Sequence, residues 1–244
     1  MKKFELTSET KINIFGKKLF RIKALISFAD VEAGETGGWV EKEGNVNQSG
    51  NAWVSGNAEV SGNAMVSGNA EVSGNAMVSG NAMVSGNAMV YGNAWVSGNA
   101  EVSGNAWVSG DAMVSGDAMV YGNAWVSGNA EVSGDAMVYG NAKVSGDAMV
   151  YGNAKVSGDA KVYGDAKVYG DADYTTIHGF GAQFRTTTFF RCKDKKVRVA
   201  CGCFFGTIPE FREQVKKTRS GKIVEEYLMI ADLMEKHFEV KSNE

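Results

Sequence analysis

The sequence predicts a mainly β chain built around a left-handed parallel β-helix of roughly seven triangular coils, flanked by an N-terminal β cap and a C-terminal ββαα module. Three observations predict it. From Gly50 to Tyr169 the unit G-[N/D]-A-x-V-[S/Y] repeats twenty times without slippage. Thirty-one glycines stand against a single proline. The array fades on each side through degenerate units, Gly44-Asn45-Val46 before it and Gly170-Asp171-Ala172-Asp173-Tyr174 after it, into ordinary sequence.

A period of six does not suit an α-helix. Two helical turns take about 7.2 residues, so a six-residue apolar pattern would drift around the axis. A glycine in every unit would also cost a helix about 1 kcal/mol each time. Ala-x-Val alternates with period two, as a short strand does. Ser/Tyr-Gly-Asn/Asp is turn chemistry, because glycine and asparagine tolerate positive φ. Each hexad is therefore one short strand and one corner, and three hexads make one coil. Alanine and valine point inward, x points outward, and corner asparagines can form side-chain ladders. At about 4.8 Å between strands the prism is on the order of 30–35 Å long.

Val54-Ser55-Gly56-Asn57-Ala58-Glu59 carries an aliphatic residue, a small residue, two free positions, a small residue and one more. In this register the array resembles the hexapeptide-repeat superfamily over about half of the chain. The resemblance implies the β-helix fold. It also raises acyl-coenzyme-A-dependent acyl transfer, an activity that uses a histidine base near a coil edge.

The outward position is where specific information can sit. Residues 18 apart share a face. The first face reads Trp53, Glu71, Met89, Trp107, Trp125, Lys143, Lys161; the second Glu59, Met77, Trp95, Met113, Glu131, Met149, Lys167; the third Met65, Met83, Glu101, Met119, Met137, Lys155, Asp173. Monomers in water rarely expose such apolar rows. Trp53, Met89, Trp107, Trp125, Trp95, Met113, Met65, Met83, Met119 and Met137 are therefore the candidate interface residues. The plainer alternative is drift within a recently duplicated repeat. From Lys143 onward the column turns mostly to lysine, and aspartate replaces asparagine more often, which reads as a solvated surface.

Residues 1–43 read as a β-hairpin cap, with Gly16-Lys17-Lys18 as a turn. Gly37, Gly38 and Trp39 are expected to form the first corner, with Trp39 plugging the prism end. Arg21-Ile22-Lys23-Ala24-Leu25 followed by Gly37-Gly38-Trp39-Val40-Glu41 is similar to the lead-in of bacterial and phage hexapeptide proteins, some labelled acetyltransferases on fold grounds. Residues 44–175 are the repeat domain and 176–244 the C-terminal module. In the latter, Arg185–Arg191 and Val197–Phe204 form a hairpin, and Thr207-Ile208-Pro209-Glu210 is a capping box. Two helices follow, broken at Ser220-Gly221. This module resembles the C-terminal segment of phage and prophage proteins.

Charge is segregated along the chain. Residues 1–43 hold 8 Lys and Arg against 7 Asp and Glu, residues 44–175 hold 4 against 12, and residues 176–244 hold 13 against 9. An acidic rod does not attract nucleic acid, though it suits a basic protein surface. No apolar run is long enough to span a membrane. The charged start and the odd count of three cysteines imply a cytoplasmic chain.

Chemistry is sparse. The only histidines are His178 and His237, and residues 44–175 contain none. The hexads carry no inserted loop, so histidine-dependent catalysis within the prism is excluded by composition. Cys192, Cys201 and Cys203 are weak metal-ligand candidates; buried free thiols under the helices are the simpler reading. No phosphate loop or dinucleotide fingerprint is present, and no cofactor is expected. Rows of threonine, which a flat surface-binding face would show, are missing. The expected function is a non-catalytic, self-associating binding or scaffold protein, a dimer or trimer, of phage or prophage type. It would sequester a small nucleotide ligand or occlude a host protein, as a counter-defence or host-modulating factor. The alternative is the acyltransferase suggested by fold analogy.

Overall fold

The computed structural model describes residues 2–181 and 183–239. Three strands open the chain: β1 (Phe4–Ile12), β2 (Lys18–Ala24) and β3 (Thr36–Val40). Among the described residues, twenty two-residue strands follow at six-residue intervals, from β4 (Trp53–Val54) to β23 (Lys167–Val168). Then come β24 (Tyr174–Phe180), β25 (Arg185–Arg191), β26 (Val197–Cys201), β27 (Phe204–Thr207), α1 (Ile208–Thr218) and α2 (Lys222–Glu239).

The repeats form a parallel β-solenoid. Each short strand pairs with the strand three places on, so Met89 stands beside Glu71 on one side and Trp107 on the other. The three faces stack as β4-β7-β10-β13-β16-β19-β22, as β3-β5-β8-β11-β14-β17-β20-β23, and as β6-β9-β12-β15-β18-β21. The face assignments read from the 18-residue spacing are those of the structure from Trp53 to Lys167; Asp173, expected to continue the third face, lies instead in a 3-10 turn after the last short strand. Alanine and valine of every hexad from Ala70 to Val168 are fully buried.

Three backbone bonds in each central hexad run in one sense to the next coil, beside the ladder bond within each parallel strand pair. In the central coils Asn87 N–H donates to the Gly104 carbonyl (2.7 Å), Met89 to Ala106 (2.9 Å) and Tyr91 to Val108 (3.0 Å). Glycine is required at the corners for two reasons. Gly104 has φ of 69°, and a Cβ there would lie 3.0 Å from the backbone nitrogen and oxygen of Gly122 in the neighbouring coil. Asparagine side chains stack along the same corner: Asn69 donates to Asn87, Asn87 to Asn105 and Asn105 to Asn123 at 2.9–3.0 Å. A ladder ends where aspartate stands, as at Asn141 to Asp159, because a carboxylate accepts but does not donate.

These three bonds share one sense, which leaves the first coil with an excess of carbonyls and the last coil with an excess of N–H groups. The N-terminal cap supplies donors. Trp39 and Glu41 N–H bond the Ala58 and Val60 carbonyls (2.9 and 3.0 Å). The buried Asn45 amide donates to Gly62 and Ala64, Arg21 donates to Gly56, and the buried Lys3 ammonium donates to Gly50 and Ala52 at 3.3 and 2.7 Å. The C-terminal cap supplies acceptors: Thr188 Oγ1 for Lys161 N–H (3.0 Å) and the Asp173 carboxylate for Tyr169 N–H (2.9 Å).

Two expectations about the flanks are corrected. Gly37, Gly38 and Trp39 are not a corner; they lie within β3, pressed so closely on the first coil that a Cβ at Gly37 or Gly38 would meet Ile22, Trp53 or Val54 side chains at 2.6 Å. Trp39 does not plug the prism end. It pairs with Glu59 and heads the second outward column. The C-terminal module is likewise larger than a hairpin. Residues 174–180 form β24, and the expected second strand is divided at Gly202-Cys203 into β26 and β27, giving a four-stranded antiparallel sheet in the order β24-β25-β26-β27. One face of it, with Phe190 and Ala200, packs on the solenoid end, and the other, with Phe189 and Val199, packs on Phe211, Tyr227, Ile230 and Met234 of the helices. The capping box forms as read: Thr207 Oγ1 accepts from Glu210 N–H, and the Glu210 carboxylate accepts from Thr207 N–H (2.7 Å).

Two measurements follow. Gly104→Ala is expected to lower unfolding free energy in urea by about 1–3 kcal/mol, while Glu71→Ala on the exposed column stays within about 0.5 kcal/mol. Burial lowers the Lys3 value from 10.5 to about 8. A lysine that binds its proton more weakly when folded costs stability below pH 8, and that cost is relieved as pH rises from about 8 towards 10.5. The urea midpoint is expected to rise across this window relative to Lys3→Met, since the neutral amine keeps enough N–H donors for both carbonyls.

Candidate functional site

The outward column divides into three unlike faces. On the first, Trp53 is 4% exposed, enclosed by Phe4 and Phe28 with ring centroids 6.2 and 5.5 Å away. It belongs to the N-terminal core, which corrects its expected place at an interface: the β1–β3 cap folds over the first coil. Further along this face, Trp107 and Trp125 stack at 4.8 Å with their planes 7° apart. Tyr91 meets Trp107 edge-on at 6.0 Å, and the Lys143 ammonium lies 4.7 Å from the Trp125 ring centre. The indole faces are thus occupied by one another and by a cation, so the row is a self-stacked ridge rather than an open platform.

The second face is partly covered by the chain itself. Trp39 is held between Lys11 and Arg21 (4.5 and 4.8 Å), Lys11 also pairs with Glu59 at 2.9 Å, and Phe15 at the β1–β2 turn reaches Trp95 at 5.5 Å. Beyond the hairpin, Met113 is exposed. Lower down, Tyr151 donates to Glu131 (2.9 Å); burial and this bond push its hydroxyl well above the usual tyrosine value.

The third face, built on β6, β9, β12, β15, β18 and β21, carries Met65, Met83, Glu101, Met119, Met137 and Lys155 in register. Met65 and Met83 are 40% and 44% exposed, the most open of the expected interface methionines together with Met113. Tyr121 and Tyr139 stack at the neighbouring corner, 5.0 Å apart. The expected interface residues therefore do not converge on one site. Trp107, Trp125 and Met89 share one face, Trp95 and Met113 another, and Met65, Met83, Met119 and Met137 the third.

The cysteines do not converge as a metal site either. Cys192 is buried just past β25, bridged to Ala166 of the solenoid, where burial and the nearby Asp165 push its thiol up to about 12. Cys201 pairs with Thr187 at the opposite end of the sheet, and Cys203 stands in the β26–β27 turn. Among the described residues, no three His, Cys, Asp or Glu side chains stand together as a metal group. His178 lies on β24, where Nδ1 meets Thr186 Oγ1 at 3.1 Å. Among the described residues, no helix is long and apolar enough to cross a membrane.

The comparison with protein families agrees with the architecture. The YdcK beta solenoid repeat matches residues 70–85, 82–98, 112–128 and 142–158, all within the solenoid. No curated protein matches the chain. The chain is a β-solenoid repeat protein whose repeats are similar to the YdcK type.

The burial difference gives a direct test. Trp53→Ala is expected to cost about 3–5 kcal/mol of unfolding free energy, whereas Trp125→Ala loses one stacking and one cation–π contact, about 1–2 kcal/mol. Chemical denaturation of the two variants measures both.

Proposed function

We propose that the protein is a non-catalytic scaffold that self-associates through the methionine face of the solenoid. The observation that carries this reading is the pattern on the third face. Glu101, Met119, Met137 and Lys155 occupy four successive rungs. A second copy laid antiparallel across them sets Met119 against Met137 and Glu101 against Lys155, twice each, as a twofold interface requires. Methionine repacks readily at such contacts. The acidic repeat domain, with 4 Lys and Arg against 12 Asp and Glu, repels an unregistered copy and so favours pairing at the one register where charges match.

Acyl transfer has less support. It needs a base near a coil edge, and residues 44–175 contain no histidine. A host-modulating role, with a host protein or a small nucleotide as the further partner, draws on the likeness of the lead-in and C-terminal segments to phage proteins.

Light scattering on the purified chain is expected to give twice 26.0 kDa. Met119→Glu with Met137→Glu is expected to return the monomer mass with an unchanged far-ultraviolet spectrum. A wild-type monomer at all accessible concentrations, or an oligomer that survives both substitutions, overturns the reading.

A further inference from the structure

The β26–β27 turn holds two thiols in a setting that the scaffold reading does not use. Cys201 and Phe204 are paired, so Gly202 and Cys203 form a two-residue loop. Gly202 has φ of 62° at the first loop position, the glycine placement of a primed hairpin turn. A Cβ there would collide with Arg185 Nη1, so the guanidinium lies directly on the turn. Lys161 of the last solenoid coils reaches the same place, its ammonium donating to the Gly202 carbonyl at 3.4 Å. Cys203 is exposed and Cys201 half-buried.

Both sulfur-bearing residues line one cavity of about 310 Å³ together with Arg185, Arg219, Thr218 and Tyr227. Thr187 Oγ1 donates to Cys201 Sγ at 3.1 Å. Burial, with the Cys201 thiol next, raises the Tyr227 hydroxyl, which keeps it a neutral neighbour of the sulfur. On its other side Cys203 lines a second cavity of about 590 Å³ with Lys161, His178, Arg185 and Asp159. Thiols flanked by cations and hydroxyl donors, with access to solvent, are the ones that react.

We infer that Cys201-Gly202-Cys203 is a dithiol site that exchanges with a small, carboxylate-bearing disulfide held by Arg185 and Arg219. The inference is independent of self-association. The Cys203 thiolate, its proton given to water, attacks one sulfur of the disulfide RSSR and expels RS⁻. The Cys201 thiolate, also deprotonated to water, attacks Cys203 Sγ of the mixed disulfide and expels the second RS⁻. The two cysteine sulfurs are oxidised to one disulfide, and RSSR is reduced to two thiols that take up the two protons. Cys192, buried and with its thiol raised to about 12, is an internal control that stays reduced.

The test uses the full-length reduced chain with glutathione disulfide, and in parallel with the uncharged hydroxyethyl disulfide. Intact mass is expected to fall by two hydrogens, with a peptide map joining Cys201 to Cys203. Cys201→Ser is expected to stop with one glutathione on Cys203. Arg219→Gln is expected to slow reaction with glutathione disulfide several-fold and to leave the hydroxyethyl reaction unchanged. A stable glutathione adduct on wild-type Cys203 without the internal bond overturns the dithiol step. Equal effects of Arg219→Gln on both disulfides overturn the anionic ligand.

Discussion

The rest of the structure depends on the coil-to-coil backbone bond, repeated at an 18-residue offset. Asn87 N–H to the Gly104 carbonyl, Met89 to Ala106 and Tyr91 to Val108 are the same three bonds that recur along the central coils. Because they share one sense, the two ends of the rod differ chemically, and the caps differ accordingly. Lys3, Asn45 and Arg21 bring donors to the first coil; Thr188 and Asp173 bring acceptors to the last. An unpaired buried carbonyl or amide costs about 1–3 kcal/mol, so an uncapped end would be a steep penalty and an edge open to other strands.

The same offset fixes what the surface can do. Any side chain at x stands about 4.8 Å from its counterparts one coil away, so outward residues act as columns rather than individuals. Trp107 and Trp125 spend their ring faces on each other, and Lys143 closes the stack. The asparagine ladders behave similarly until an aspartate ends them. The third face carries methionine where the first carries the indole stack, with Met65 and Met83 exposed, and it is the face on which the proposed contact is drawn.

The array was nearly all legible in the sequence, because a short period fixes strand, corner and face together. Twenty hexads in unbroken phase fix which residues turn inward, and the capping box at Thr207–Glu210 is equally local. What was not legible arises between distant segments. Trp53 reads like every other x residue, and only the fold of Phe4 and Phe28 over it makes it core. Gly37 and Gly38 look like a corner, but their bare Cα atoms are needed because β3 lies against Trp53 and Val54. Residues 174–180 lack a strong alternating pattern, and become a strand because β25 offers them an edge. The thiol turn was visible as C-G-C; the Arg185 and Lys161 that surround it come from elsewhere in the chain.

A pair of deletions tests the central claim, that the 18-residue coil is the unit of stability. Removing residues 98–115 takes out one whole coil and rejoins Ser97 to Gly116 in phase. Removing residues 98–112 is shorter by three residues but throws every later corner out of phase. Urea unfolding of the two is the measurement. The whole-coil deletion is expected to keep a cooperative transition with a midpoint near that of the parent, and the out-of-phase deletion to lose it. Equal stability of the two would contradict the account.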